Sequence, residues 1–314
     1  MQNDAEFRRQ PAFCIHHSEF LNPMATSFFN AHIDRLSAGE RLTADEIREL
    51  ARTPDILPLG MLADALRRRL HGTRATFVRV AACAFDQSIA DAVPPAAREL
   101  RLTGSPEWLD AAVAAVQAAK SVAGVRTVAG FSWADAERWR AADGQVLKRL
   151  REAGLDAIAE LPLDKVSDPR SALRALTTRG FTQVRLSIAS LPAAERTELL
   201  LQAAGLQDEF GCIQALDPLP AKLPAYRPTT GYDDVKMVAL ARLAAPNIPS
   251  IQVDWPRYGP KLAQVALTFG ADDIYGISPS DDAPEGRRRA PLEEIRRNIE
   301  AAGFEPVERD GRFA

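Results

Sequence analysis

The sequence predicts a single (β/α)8 barrel of the TIM type behind an N-terminal helical cap, and three observations carry that expectation. Short β-rich runs recur eight times after residue 73. Most are separated by segments of helical periodicity, the pattern of βαβ units that closes a parallel sheet. The chain has 314 residues at 46% hydrophobic content, enough to bury one large core. Residues 1–23 have mixed composition without periodicity and read as a flexible extension. Residues 24–72 read as the cap, and 73–314 as the barrel, forming one globular unit with it.

In chain order, helices are expected over 24–38, 43–51 and 58–70, with Thr43 and Glu46 forming a capping box and Gly72 ending the third. Strands are expected over 76–80, 99–103, 125–129, 156–161, 183–188, 212–217, 250–255 and 272–277. Between them, 106–122 is rich in Ala and Val, 192–210 carries Leu199, Leu200, Leu206 and Phe210 on recurring faces, and 259–269 repeats Leu262, Val265, Ala266 and Phe269. These stripes are core. Trp133 and Trp139 share one helix and read as packing. The first crossover, 86–97, contains Pro94-Pro95 and lacks a full helical pattern, so the barrel mouth is expected to be altered there.

Composition excludes several classes. With 39 basic and 42 acidic residues the net charge is -3, which gives no drive toward nucleic acid or an anionic membrane. No apolar run approaches the roughly 20 residues of a membrane span, and no secretory signal pattern opens the chain. Cys14, Cys83 and Cys212 are widely spaced and odd in number, so a reducing cytoplasm is expected rather than a disulfide framework. His16, His17, His32 and His71 all precede or adjoin the first strand, and His71 with Gly72 reads as a helix end; no metal site is expected. Neither GxxxxGK[ST] nor GxGxxG occurs.

Barrel chemistry belongs at the C-terminal ends of the strands. Polar residues interrupting the apolar alternation there are Thr103, Glu160, Ser187, Gln214, Asp217, Gln252, Asp254 and Tyr275. Glu160, Asp217 and Asp254 offer carboxylates from three strands, suited to acid–base work, cation binding or hydrogen bonding to a ribose. A strand end entering a polar loop also commonly finishes in Asp or Glu, a purely structural reading. Arg67-Arg68-Arg69 reads as a solvated charge run. Arg287-Arg288-Arg289 follows a turn-rich loop after the last strand, where barrels hold phosphate, which makes Arg287 a ligand candidate.

Several stretches resemble one enzyme family in the same order along the chain. They are Leu57-Pro-Leu-Gly60 through His71-Gly72, Leu102-Thr-Gly104, Glu152-Ala-Gly-Leu-Asp156, Gln207-Asp-Glu-Phe-Gly-Cys-Ile-Gln-Ala215, Pro228-Thr-Thr-Gly231 through Asp234, and Asn247-Ile-Pro-Ser-Ile-Gln-Val-Asp-Trp255 through Asp273. They are similar to the radical S-adenosylmethionine (SAM) enzymes aminofutalosine synthase and cyclic dehypoxanthinyl futalosine synthase, from about residue 36 to the end. The resemblance implies a radical SAM barrel, menaquinone biosynthesis by the futalosine route, and a [4Fe–4S] cluster held by CxxxCxxC after the first strand. Here Cys83 stands alone just beyond that strand, and one thiolate cannot assemble such a cluster. The family's glycine-rich stretch after strand four is replaced by Ala159-Glu-Leu-Pro162, and a later segment by Ser187-Ile-Ala-Ser190; Thr103-Gly104 survive of the strand-two motif, and Gln214 and Gln252 match positions in family stretches.

A degenerate family member is therefore expected, without the cluster and with SAM the cofactor candidate that the resemblance leaves. Its expected role is a partner of an active radical SAM enzyme of the futalosine pathway or a binder of a small nucleoside-like ligand, a pseudoenzyme in either case. The alternative is a cluster-independent enzyme using Glu160, Asp217 or Asp254, with Thr103, Gly104, Ser187, Gln214, Gln252, Tyr275 and Arg287 as ligand contacts.

Overall fold

A computed structural model describes residues 23–89, 93–222, 230–285 and 289–314, with side chains from residue 31 onward. Cys14, His16, His17, Arg287 and Arg288 lie outside the described residues. Three helices come first: α1 (Pro23–Ala38), α2 (Ala44–Arg52) and α3 (Ile56–His71). The barrel strands are β1 (Arg74–Ala84), β2 (Glu99–Thr103), β3 (Thr127–Ser132), β4 (Ala157–Pro162), β5 (Val184–Ile188), β6 (Ile213–Pro220), β7 (Ser250–Asp254) and β8 (Asp273–Ile277). Around them run α4 (Leu109–Ala123), α5 (Trp133–Arg140), α6 (Val146–Ala153), α7 (Pro169–Thr178), α8 (Arg196–Phe210), α9 (Gly231–Ala244), α10 (Trp255–Leu267) and α11 (Pro291–Ala301).

Parallel pairing runs from β1 through β8, and β8 returns to β1, closing an eight-stranded barrel as expected. The α2 capping box forms, with the Thr43 and Glu46 backbone amides each bonded to the other's side chain. Gly72 ends α3 at φ 61. Between β1 and β2 the described residues form turns without a helix, as the Pro94-Pro95 segment predicts. Trp133 and Trp139 are buried; the Trp139 ring meets Phe131 edge-on at 5.3 Å, and its Nε1 donates to the Pro106 carbonyl at 3.2 Å.

A ninth strand was not expected. β9 (Glu305–Glu308) lies parallel to Arg74–Phe77, the half of β1 that precedes its pairing with β2. It fills the gap at the N-terminal rim between β1 and β2, too short and Pro-interrupted to signal itself in sequence. The strand leads residues 309–314 beneath the barrel, where they contribute to the lumen described below.

The cap covers a flank of the barrel. α3 and α2 pack on α9, and α2 also meets α8. Because α9 is enclosed between barrel and cap, it is apolar nearly all round, burying Val235, Met237, Val238, Leu240 and Leu243. Arg67 corrects the solvated reading of its arginine run: it is fully buried, while Arg68 and Arg69 are exposed. Its guanidinium donates to the carbonyls of Ala271 (3.1 Å), Gly72 (2.9 Å) and Arg74, and stacks 3.8 Å from the Phe304 ring centre. Burial lowers its pKa to about 10. Arg67→Ala strands three carbonyls and is expected to cost about 2–4 kcal/mol in urea unfolding, whereas Arg68→Ala should stay within about 0.5 kcal/mol.

Cys83 also moves relative to expectation. β1 runs on to Ala84, so Cys83 sits inside the strand opposite Leu102, buried in the core instead of in a loop beyond it. Burial raises its thiol pKa, the state of an inert packing cysteine.

Candidate functional site

Charged side chains fill the barrel lumen. On β2 the alternation Glu99-Leu100-Arg101-Leu102-Thr103 puts Glu99, Arg101 and Thr103 on one face. Glu99 is fully buried and receives both terminal nitrogens of Arg185 at 2.7 Å, with Arg101 at 3.3 Å. Burial alone would raise the Glu99 pKa, but Arg185, Arg101 and Arg309 hold it at about 2. The pairing of β5 with β6 skips Gln214, since Val184 faces Ile213 and Arg185 faces Ala215; this bulge accompanies the turn of Arg185 toward Glu99. On β8, Asp273 accepts from Thr76 and Gln252, each at 2.6 Å, and from Arg309 at 2.5 and 2.7 Å. Arg309 follows β9 and stacks 3.8 Å from the Phe313 ring centre, so the C-terminal tail supplies half of a fully buried ion pair.

Above this layer lies a second cluster at the strand C-terminal ends. The Tyr275 hydroxyl stands 3.1 Å from Asp217 Oδ2 and 3.3 Å from Asp254 Oδ2. Asp217 Oδ1 accepts the Leu219 N–H at 3.0 Å across Pro218, a local turn that holds the carboxyl at the mouth. Asp254 caps α10 by accepting the Arg257 N–H at 3.0 Å and pairs with its guanidinium at 3.0 Å. Burial pushes the Asp217 pKa up to about 7; the Leu219 N–H opposes this, the Asp254 charge adds to it, and the Tyr275 hydrogen bond opposes it again. One phenolic hydrogen cannot serve two carboxylates, so a protonated Asp217 donating to Tyr275, which donates to Asp254, satisfies every atom. Burial also raises Tyr275 well above its ordinary value, keeping it a donor. The Glu160 charge favours the charged forms of Arg101 and Arg257.

Six of the expected site residues thus come together: Glu160, Ser187, Asp217, Gln252 and Tyr275 line one cavity, and Asp254 joins through Tyr275. Four do not. Thr103 at the end of β2 and Gly104 just beyond it are exposed, and Gly104 takes φ 89 with a Cβ falling 2.7 Å from the Phe85 ring. Gln214 is the bulge residue near the start of β6, and does not line the mouth cavity. Arg287 lies outside the described residues. Glu99, Arg101, Arg185, Arg257, Asp273 and Arg309 were missed, although Glu99 and Arg101 carried a legible signal as charges on one face of a short strand.

The lumen leaves a cavity of about 20 Å³ at the mouth, room for one water. Small-molecule sites ordinarily offer about 300–1,000 Å³. The cysteines among the described residues are Cys83, near the C-terminal end of β1, and Cys212, just before β6, on opposite rims. Burial raises both thiol pKa values, away from the thiolate that iron requires. Among the described residues no group of His, Cys, Asp and Glu is arranged to hold a metal ion. Among the described residues, this donor set and this mouth do not fit a [4Fe–4S] cluster with SAM beside it.

The closed parallel barrel is the fold of radical SAM enzymes. The [FeFe]-hydrogenase maturase HydG superposes with TM-score 0.66 at 16% identity over 90% of this chain and 76% of its own, and methylornithine synthase (PylB) with 0.62 at 16% over 88% and 97%. Residues 215–314 match the CofH/MqnC C-terminal region. The aminodeoxyfutalosine synthase of Thermus thermophilus is 27% identical, covering 89% of this chain and 94% of that protein; the cyclic dehypoxanthine futalosine synthase of Streptomyces coelicolor is 25% identical, over 88% and 86%. The 5-amino-6-(D-ribitylamino)uracil–L-tyrosine 4-hydroxyphenyl transferase of Archaeoglobus fulgidus is 34% identical, over 53% of this chain and 57% of that protein. Over most of its length the chain is thus similar to synthases of the futalosine pathway, the resemblance carried by its sequence motifs.

Proposed function

We propose that this chain is a futalosine-pathway barrel without radical chemistry, acting as a partner or stabiliser of an active radical SAM enzyme of menaquinone biosynthesis. The closed mouth carries this reading: about 20 Å³ remains where the family's chemistry belongs, above a lumen filled by buried ion pairs. The same packing weighs against a nucleoside-like ligand inside the lumen. No described helix is long and apolar enough to cross a membrane; the few, widely spaced cysteines support a reducing cytoplasm as the proposed location. Copurification with the pathway's radical SAM enzymes, or a change in their turnover on addition of this chain, is expected. No association in lysate and no kinetic effect would refute the role.

Ligand binding gives a separate check. SAM, aminofutalosine, dehypoxanthine futalosine and adenosine are expected to leave the melting temperature unchanged. A ligand at about 100 times its Kd stabilises by about 2.7 kcal/mol, so a tight binder would be plainly visible.

A second reading has one observation in its favour. Asp217 titrates near neutrality beside Tyr275 and Asp254, an acid–base arrangement that needs no cluster. On this reading Asp217→Asn and Asp254→Asn abolish turnover of a small polar substrate while the fold persists; retained turnover in both variants rejects it.

A further inference from the structure

Most arginines of the described structure face a carboxylate or a carbonyl: Arg185 and Arg309 in the lumen, and Arg35, Arg48, Arg149 and Arg170 on the surface. Three that have no such partner lie together. Arg140 ends α5, Arg174 projects from α7 and Arg179 is the C-cap residue of α7, and all three are exposed. They bound one groove of about 290 Å³, with Leu147 of α6 and Ala175 as apolar lining and Ser171 and Thr178 as hydroxyls. No Asp or Glu lines it.

Three guanidiniums around one groove without a counter-charge repel one another, and in a chain of net charge -3 they form a local excess of the opposite sign. Such a surface is stabilised by carboxylates, which the planar guanidinium pairs with bidentately. The larger groove beside α2 differs, because Arg48, Arg52 and Lys236 there share the lining with Glu195, Glu198 and Asp233, and Arg48 pairs with Glu198. Position agrees with a docking role: the cap packs on α8 and α9, leaving the α5–α7 flank as outer surface.

We infer that the groove formed by Arg140, Arg174 and Arg179 docks an acidic segment of a partner protein. The inference rests on the partner role proposed above and supplies the chemistry of the contact. The probe is a fluorescein-labelled octaglutamate peptide, followed by anisotropy on the full chain. Binding is expected to weaken at least about tenfold between about 50 and 300 mM salt. The triple variant R140Q/R174Q/R179Q should lose at least about tenfold in affinity at low salt, since exposed substitutions of this kind leave the fold in place. The control R52Q/K261Q/R296Q removes the same charge from scattered exposed positions and should change affinity less than about threefold. Equal losses in the two variants, no peptide binding by the wild type, or displacement of the peptide by inorganic phosphate at about 1 mM would each overturn the docking groove. Peptide binding that follows this pattern without copurification of a pathway enzyme would refute the partner role alone.

Discussion

Arg309→Met is expected to cost about 3–5 kcal/mol of folding stability, read by urea unfolding at pH 7, because it leaves the Asp273 carboxylate charged, fully buried and short of its main counter-ion. Thr76 and Gln252 remain as neutral donors, and they cannot replace a bidentate guanidinium. Arg309 also closes the lumen from below, so the loss is expected to reach β1 and β9 together. Adding Asp273→Asn to the Arg309→Met background removes the stranded charge and should recover most of the loss. A single variant within about 1 kcal/mol of wild type, or a double variant no better than the single, would show that the pair is not what holds the tail beneath the barrel.

Asp217→Asn has the second large effect, and its sign depends on pH. The Asp217 pKa rises from 3.8 to about 7 on folding, so between those values the folded chain keeps a proton that the unfolded chain releases. The contribution of this group is fully present below pH 4 and is lost as pH rises to about 7, a swing on the order of 4 kcal/mol. Asparagine resembles the protonated acid: its oxygen accepts the Leu219 N–H, and its amide donates to Tyr275. The variant should therefore match wild type near pH 3.5, below both pKa values, and exceed it in stability at pH 8. Denaturant unfolding at the two pH values checks this, and a variant that is weaker at pH 8 would place the proton elsewhere in the cluster.

The barrel was legible because its signals are local. Capping residues such as Thr43, the Gly72 helix end and the apolar stripes of the helices act within a few residues, and they set the order of elements. The mouth was partly legible. Asp254 ends β7 while Asp217 and Tyr275 interrupt the apolar runs of β6 and β8, and closure of the sheet brings both carboxylates within hydrogen-bonding reach of Tyr275. The pairings below them are long-range. Arg309 meets Asp273 from a tail that returns under β1, and Arg185 meets Glu99 across the lumen, contacts that no short-range period encodes. Arg67 misled for the same reason: within its run it resembles Arg68 and Arg69, and only the carbonyls of Ala271 and Arg74 distinguish it.

The filled lumen changes the meaning of Cys83. A missing pair of cysteines would by itself describe a site that has lost its metal. Buried ion pairs in the lumen, with room for one water above them, are a second and independent support for the proposed role without radical chemistry. Exposed surface is then where recognition would fall, and the arginine groove on the α5–α7 flank is its best-defined feature.

Anaerobic reconstitution of the full chain with iron and sulfide, followed by iron analysis and the ultraviolet–visible spectrum, puts the filled mouth to the test. Iron well below one per chain and no sulfide-to-iron absorption are expected; about four irons per chain, with a spectrum that responds to SAM, would contradict it.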